Sequence, residues 1–345
     1  MDLGKRIASR LEAATFDRIA SVGLENAAVN RPRIERSILA LADVTLGDGD
    51  SAVVIGAGPS LRRRDSLARL RKSGYAGTVV AVDSALGSCL RAGVVPHLVV
   101  SVDPHRERIV RWFGDPAMTA APTDDYFRRQ EMDPTLAADE LSANRSLLAL
   151  VDAHGAQMRA AVATSAAPAV VARCEAAGIA MYWWNPMYDD YDQPGSVSRR
   201  LHEANGLPCL NGGGNVGTAA WVIAHAVLGK RRIGLVGIDF GYQPGTPYTK
   251  TQYYPELVEM LGDRAAEAFI HLTNPDDGEM WFTDPAYYWF REVFLTMTRE
   301  ADCETCNCTE GGIVFGPGIH SLPIEEFVTK CVEQPKTANE VTGDE

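Results

Sequence analysis

The sequence predicts an α/β fold in which a parallel sheet is covered by helices on both faces. Three observations predict it. From residue 51 onward, short β-branched runs alternate with longer amphipathic stretches. The first run, Ser51-Ala52-Val53-Val54-Ile55, stops at Gly56-Ala57-Gly58-Pro59-Ser60-Leu61, which reads as strand, tight turn, helix. Later runs end on Asp83, Asp103 and Asp239, as strands do when their carboxyl ends line one crevice.

The elements follow in order. Residues 1–48 read as a helical segment: Ile7, Leu11 and Ile19, then Ile34, Ile38, Leu39 and Leu41, form apolar faces, and Asn30-Arg31-Pro32 interrupts them. Strands are predicted over 51–56, 78–83, 97–102, 146–152, 179–184 and 231–238. Helices are predicted over 62–73, 84–92, 105–113, 155–163, 166–177, 196–205, 214–229 and 284–301. This alternation is Rossmann-like and places residues 49–332 in one domain. The stretches 114–145 and 240–283 are rich in Asp, Pro, Thr and Tyr and read as irregular, the second as a lid-like C-terminal extension. The polar tail, 333–345, is expected to be disordered.

Composition narrows the function. With 46% apolar and 23% charged residues the chain reads as soluble and globular. It has no apolar run of about 18 residues, so no membrane span is expected. Met1-Asp2-Leu3-Gly4-Lys5-Arg6-Ile7 lacks the apolar core of a signal peptide, and a cytoplasmic location is expected. A net charge of −12 argues against general nucleic-acid binding. The seven cysteines are scattered and read as reduced core thiols. Cys303-Glu304-Thr305-Cys306-Asn307-Cys308 resembles a metal site by spacing, but no second Cys or His pair accompanies it, and a strand with alternating thiols accounts for it as well.

Two glycine-rich loops carry the chemistry. In the first, Gly56, Gly58, Pro59 and Ser60 stand where backbone N–H groups and a helix dipole attract a phosphate. It is neither G-x-G-x-x-G, since Leu61 replaces the third glycine, nor a P-loop. The second is Leu210-Asn211-Gly212-Gly213-Gly214-Asn215-Val216-Gly217-Thr218; Gly213 supplies flexibility, and Asn211 and Asn215 can read a base or sugar, although Asn215 can equally be a helix cap. Asp83, Asp103 and Asp239 can bind a ribose, hold magnesium through water, or cap the next helix.

These motifs together resemble a known grouping. Gly56-Ala57-Gly58-Pro59-Ser60-Leu61, Asp83, Gly93-Val94-Val95-Pro96-His97-Leu98 through Asp103, Asn215 through Ala220, and Leu228 through Phe240 are similar to the family shared by motility-accessory-factor glycosyltransferases and archaeal 6-hydroxymethyl-dihydropterin diphosphokinases. The Gly-Pro-Ser-Leu turn and the Gly237-Ile238-Asp239-Phe240 strand end also resemble bacterial sialyltransferases that use CMP-sialic acid, and Asn307-Cys308-Thr309-Glu310-Gly311-Gly312 resembles the closing motif of the motility-accessory factors.

The glycosyltransferase resemblance implies a CMP-nonulosonate donor and a protein or glycan hydroxyl acceptor. The diphosphokinase resemblance implies ATP with magnesium, for which Asp103 is the candidate ligand; Ser101-Val102-Asp103-Pro104-His105 offers one aspartate rather than an acidic cluster. In either case a nucleotide-activated small molecule is the expected partner, with no tightly bound cofactor. The sialyltransferases carry a histidine base where this chain has Thr283-Asp284, so His271 and His105 are the candidate bases, beside Asp239 and Asp103. Tyr242, with Tyr248, Tyr253 and Tyr254, is a candidate to bond a phosphate or stack on a base. A binding protein without catalysis is the third reading.

Overall fold

The computed structural model describes residues 3–8, 11–105, 110–121 and 139–333. Its centre is a nine-stranded parallel sheet, an α/β Rossmann-like fold. In chain order the strands are β1 (Ser51–Ile55), β2 (Thr78–Val82), β3 (Leu98–Ser101), β4 (Arg159–Ala163), β5 (Ala180–Pro186), β6 (Cys209–Leu210), β7 (Arg232–Val236), β8 (Ile270–Thr273), β9 (Met280–Thr283), β10 (Glu304–Asn307) and β11 (Ile319–Ser321). The spatial order is β11-β10-β7-β1-β2-β3-β4-β5-β6, with β8 and β9 forming a separate antiparallel hairpin.

Period-two alternation divides the inner strands between two cores. Val100, Ala161, Ala163, Tyr182 and Trp184 belong to one. Val99, Ala160, Val162 and Trp183 belong to the other. Both faces are therefore buried, which is why β1 to β3 read as continuous apolar runs. Helix Val216–Val222 covers β1, β2 and β3 on the first face.

Two adjacent elements exchange type relative to the sequence expectation. Residues 146–152, predicted as a strand, lie in helix Glu140–His154, and residues 159–163 of the predicted helix 155–163 form β4. Leu147 and Val151, four apart, bury one helical face. Arg159-Ala160-Ala161-Val162-Ala163 is alanine-rich but sits between β3 and β5, where pairing on both edges overrides helix propensity. The stretch 240–283 is also not irregular: it contains helix Tyr254–Leu261, a 3-10 segment Gly262–Ala268, and the hairpin.

The N-terminal segment is helical and packs on distant parts of the chain. Leu3–Ala8 packs against helix Pro285–Glu300, and Leu11–Asn30 against helix Pro168–Ala176. Buried Asn30 donates to the carbonyls of Thr164 and Ala166 at 3.0 and 2.8 Å. Ile38 and Leu41 are buried in the main core, so this segment is built into the sheet's packing. Of the predicted helix 105–113, Val110–Phe113 is a 3-10 turn and 106–109 lie outside the described residues, as do 122–138 and the tail from 334. Glu333 ends the last helix, Ile324–Glu333. All seven cysteines are free thiols. Among the described residues no helix is long and apolar enough to cross a membrane.

Candidate active site at the sheet's switch point

The chain leaves β1 toward β2 on one side and returns as β7 on the other. Connections that diverge in this way open a crevice at the strands' carboxyl ends. Here the two backbones touch. The N–H of Gly56 donates to the Val236 carbonyl and that of Gly58 to the Gly237 carbonyl, both at 2.8 Å. Gly237 has φ +67°, and a side chain there would begin 2.5 Å from the Gly56 carbonyl oxygen. The expectation that the Gly56 and Gly58 amides cradle a phosphate is therefore corrected: the carbonyls of Val236 at the end of β7 and of Gly237 just after it take both.

The next residues explain the remaining glycine. Ser60 donates from Oγ to Asp239 Oδ1 at 2.5 Å, and its N–H approaches Asp239 Oδ2 at 3.4 Å. A Cβ on Gly58 would overlap Asp239 Oδ2. The close neighbour of the glycine turn is thus the chain's own carboxyl, just ahead of helix Ser60–Arg63, with Pro59 at its cap position. Asp239 is 2% exposed and Ser60 fully buried. Burial pushes the Asp239 carboxyl up to about 7, against the lowering pull of Ser60 and of Arg63 and Arg64. Phe240 follows at φ +46°, a left-handed conformation that a bulky residue adopts only under constraint.

The site has a roof from two later parts of the chain. Past β10, the Ile313 N–H donates to the Asp239 carbonyl at 2.8 Å. Gly311 is wedged between Ser60 Oγ and Trp281. The turn of the hairpin β8–β9 reaches the same place: Asn274 Nδ2 donates to the Gly312 carbonyl at 2.9 Å. Arg63 pairs with Glu279 at 2.7 Å and Arg64 with Asp277 at 3.8 Å, while Arg64 Nε also donates to the Glu310 carbonyl at 2.7 Å. Arg63, Arg64 and Trp281 were not singled out in the sequence. The Arg62-Arg63-Arg64 run right after the glycine turn was the available signal.

Asp83 and Asp103 close the neighbouring strands. Asp83 is 1% exposed; it accepts from Ser101 Oγ and from the Ser84 N–H, both at 2.8 Å. Burial pushes its carboxyl up to about 7, and the Asp103 charge adds to this. Asp103 is half-buried and accepts the His105 backbone N–H at 2.8 Å, and its charge acts on Asp83, so the structure brings the two aspartates together at the ends of β2 and β3. Among the described residues no group of three His, Cys, Asp or Glu can hold a metal ion.

The second glycine loop reaches the same edge, because Gly217 packs on Ile238. Asn215 is the helix cap: its Oδ1 accepts the Thr218 N–H at 2.9 Å, and its Nδ2 donates to Thr218 Oγ1 and to the Gly213 carbonyl. Its amide is thus spent inside the loop rather than offered to a base. Asn211 is exposed, with Oδ1 accepting the Gly213 N–H at 3.0 Å; Gly213 itself is buried on Thr218.

The lid places its candidates elsewhere. Tyr242 is 2% exposed; its hydroxyl donates to Asp284 Oδ2 at 2.6 Å and accepts the Gln252 N–H at 2.9 Å, and its ring stacks on Tyr287. It is part of the lid's own core and does not offer its hydroxyl to a ligand. Asp284 caps helix Pro285–Glu300 through the Tyr287 N–H, and burial pushes its carboxyl up to about 6. His271 pairs with Phe282 across the hairpin, whereas Trp281 lies opposite Leu272. Successive strand residues face opposite ways, so His271 points away from the side on which Trp281 packs against Gly311. The structure therefore does not bring His271 to Asp239. His271 lies beside Tyr248 (Nε2 to Oη 3.1 Å) in an open cleft of about 410 Å³ with Pro244, Pro247 and Met280. His271→Ala is expected to change stability by less than about 0.5 kcal/mol in urea unfolding, since the ring is exposed.

Residues 25–112 match the family described as 6-hydroxymethylpterin diphosphokinase MptE-like. Over these residues, about a quarter of the chain, the sequence is similar to that family. That segment spans β1 to β3, with the first glycine turn, Asp83 and Asp103. A solved structure with a similar fold is the MAf glycosyltransferase from Magnetospirillum magneticum AMB-1, at 14% identity and a TM-score of 0.51. The likeness covers 92% of this chain and 41% of that one, so this chain spans less than half the length of that protein. No curated protein matches the sequence. Both matches fall in the grouping that the sequence motifs resemble.

Proposed function

We propose that the protein is a nucleotide-dependent transferase, and specifically a glycosyltransferase that moves a nonulosonic sugar from a CMP donor to a hydroxyl acceptor on a protein or glycan. One observation carries this reading. Asp239, a buried carboxyl, stands at the switch point and is roofed by parts of the chain far beyond the MptE-like segment. The likeness to the MAf glycosyltransferase, which extends over that later part, supports it.

The chemistry requires a group that takes a proton from the acceptor hydroxyl while the phosphate of CMP departs. A carboxyl whose proton affinity burial has raised to about 7 is matched to that task at neutral pH. Ser60 holds it in one orientation. The exposed rim near the strand ends, with Asp103, His105 and Asn211, is where the nucleotide would lie.

The MptE-like match favours one other reading, transfer of diphosphate from ATP to a pterin alcohol. A thermal-shift panel with CMP, CDP, and ATP with magnesium and a pterin separates the two. CMP at about a hundred times its Kd is expected to add roughly 2.7 kcal/mol, with a smaller effect of ATP. Transfer from CMP-N-acetylneuraminate should fall at least about a hundredfold in Asp239→Asn. Stabilisation by ATP and pterin alone, or full transfer by the variant, would overturn the glycosyltransferase reading.

A further inference from the structure

Two arginines beside the candidate site are held by the protein's own acids. The β8–β9 turn, residues 274–279, carries Asp276, Asp277 and Glu279. Glu279 Oε1 meets Arg63 Nη2 at 2.7 Å, Asp277 Oδ2 meets Arg64 Nη2 at 3.8 Å, and the Arg63 guanidinium lies 5.8 Å from the centre of the Trp281 ring. Glu279 Oε2 is buried with no hydrogen-bond partner, so its pairing is incomplete. Both guanidiniums also act electrostatically on Asp239. The other end of the hairpin is fixed differently. Thr283 Oγ1 donates to the Phe240 carbonyl at 2.8 Å and the Tyr242 N–H to the Phe282 carbonyl at 2.7 Å. The hairpin is thus anchored by neutral hydrogen bonds at its base, and at its turn by the two ion pairs together with the Asn274–Gly312 hydrogen bond.

We propose that Arg63 and Arg64 form a binding site for the phosphate of an anionic ligand, and that Asp277 and Glu279 occupy this site in the ligand-free protein. The inference deepens the nucleotide-transferase reading and rests on it for the location of the ligand. Opening the hairpin turn frees two guanidiniums beside Asp239, and a phosphate takes the place of the two carboxylates. The exchange is favourable because part-exposed carboxylate pairs hold weakly, whereas a phosphate offers three acceptor oxygens to two planar forks at once. The same opening loosens the cover over Asp239, since Asn274 in the turn holds the Gly312 carbonyl and the Gly312 backbone lies on Asp239. Ligand binding and access to the buried carboxyl are then one event.

Two double variants break the same latch with opposite consequences for binding. The test follows hydrogen exchange of the 270–283 backbone and measures calorimetric affinity for CMP and for inorganic pyrophosphate. In Asp277→Asn/Glu279→Gln, hairpin exchange should quicken by about tenfold and pyrophosphate should bind about threefold to tenfold more tightly, because the internal competitor is gone. In Arg63→Gln/Arg64→Gln, exchange should quicken similarly, but pyrophosphate should bind at least about tenfold more weakly. Affinity changes of the same sign in both variants, unchanged hairpin exchange, or no binding of pyrophosphate to the wild-type protein would overturn the proposal. If pyrophosphate follows the expected pattern while CMP binds no better than other nucleotides, the arginine site stands and the CMP reading falls.

Discussion

Asp239→Asn is expected to stabilise the protein at pH 8 and to reduce the dependence of its stability on pH. Burial raises the folded-state carboxyl from 3.8 to about 7. A group whose folded pKa lies above its unfolded value contributes stability that is fully present below about 4 and is lost as pH rises through 7. Above 7 the folded protein holds a buried carboxylate that the unfolded chain solvates freely. The full difference corresponds to about 4 kcal/mol as an upper bound, so a gain on the order of 2 kcal/mol is expected when a neutral amide replaces it. Asparagine still accepts the Ser60 hydroxyl proton through Oδ1. Asp83, also at about 7, and Asp284, at about 6, continue to titrate, so the slope should shrink rather than vanish. Urea unfolding at pH 5, 6, 7 and 8 checks this; a wild-type protein whose stability is flat or rises over this range would contradict the buried carboxyls.

Gly58→Val is expected to lose about 3 kcal/mol or more of stability. Its Cβ would overlap Asp239 Oδ2 and lie 2.8 Å from the Gly237 carbonyl oxygen. Neither neighbour can retreat cheaply, because Asp239 is buried on Ser60 and Gly237 on Gly56. Displacing Asp239 also removes the hydrogen-bond partner of a fully buried Ser60 hydroxyl. Adding Asp239→Ala should recover part of the loss, since it clears one of the two obstructions, and a double-mutant cycle reads the coupling. A Gly58→Val protein with the wild-type urea midpoint would show that the turn is not packed in this way.

Much of the sheet was legible because its strands are buried on both faces and end on glycine or aspartate. β1, β2, β3, β5 and β7 all lie within the predicted spans or within two residues of them. The exchange at 146–163 was not legible: Leu147 to Val151 is an apolar run that suits either element, and alanines in β4 are small enough for a crowded sheet centre. β10 was legible only as one of two alternatives for the cysteine-rich stretch. At the site, the glycine turn and Asp239 were each visible as strand ends, but their mutual contact was not. Ser60 and Asp239 are 179 residues apart, and only the sheet order makes them neighbours. Tyr242 and His271 show the opposite difficulty. Composition marks a segment as chemically capable, while strand register and side-chain packing decide which way each group points.

The placement of β10 also bears on how the protein is made. It pairs with β7 and delivers Gly311, Gly312 and Ile313 onto Asp239. A chain emerging from the ribosome can pair β1, β2 and β3 early, since their partners are close in sequence. β7 must then insert against β1, and the cover over Asp239 forms only once residues beyond 313 have left the exit tunnel. Until β7 emerges, the nascent chain exposes an unpaired edge of β1. The cover over Asp239 is therefore missing from every incomplete chain that ends before β10, because it is built from the segment that follows this strand.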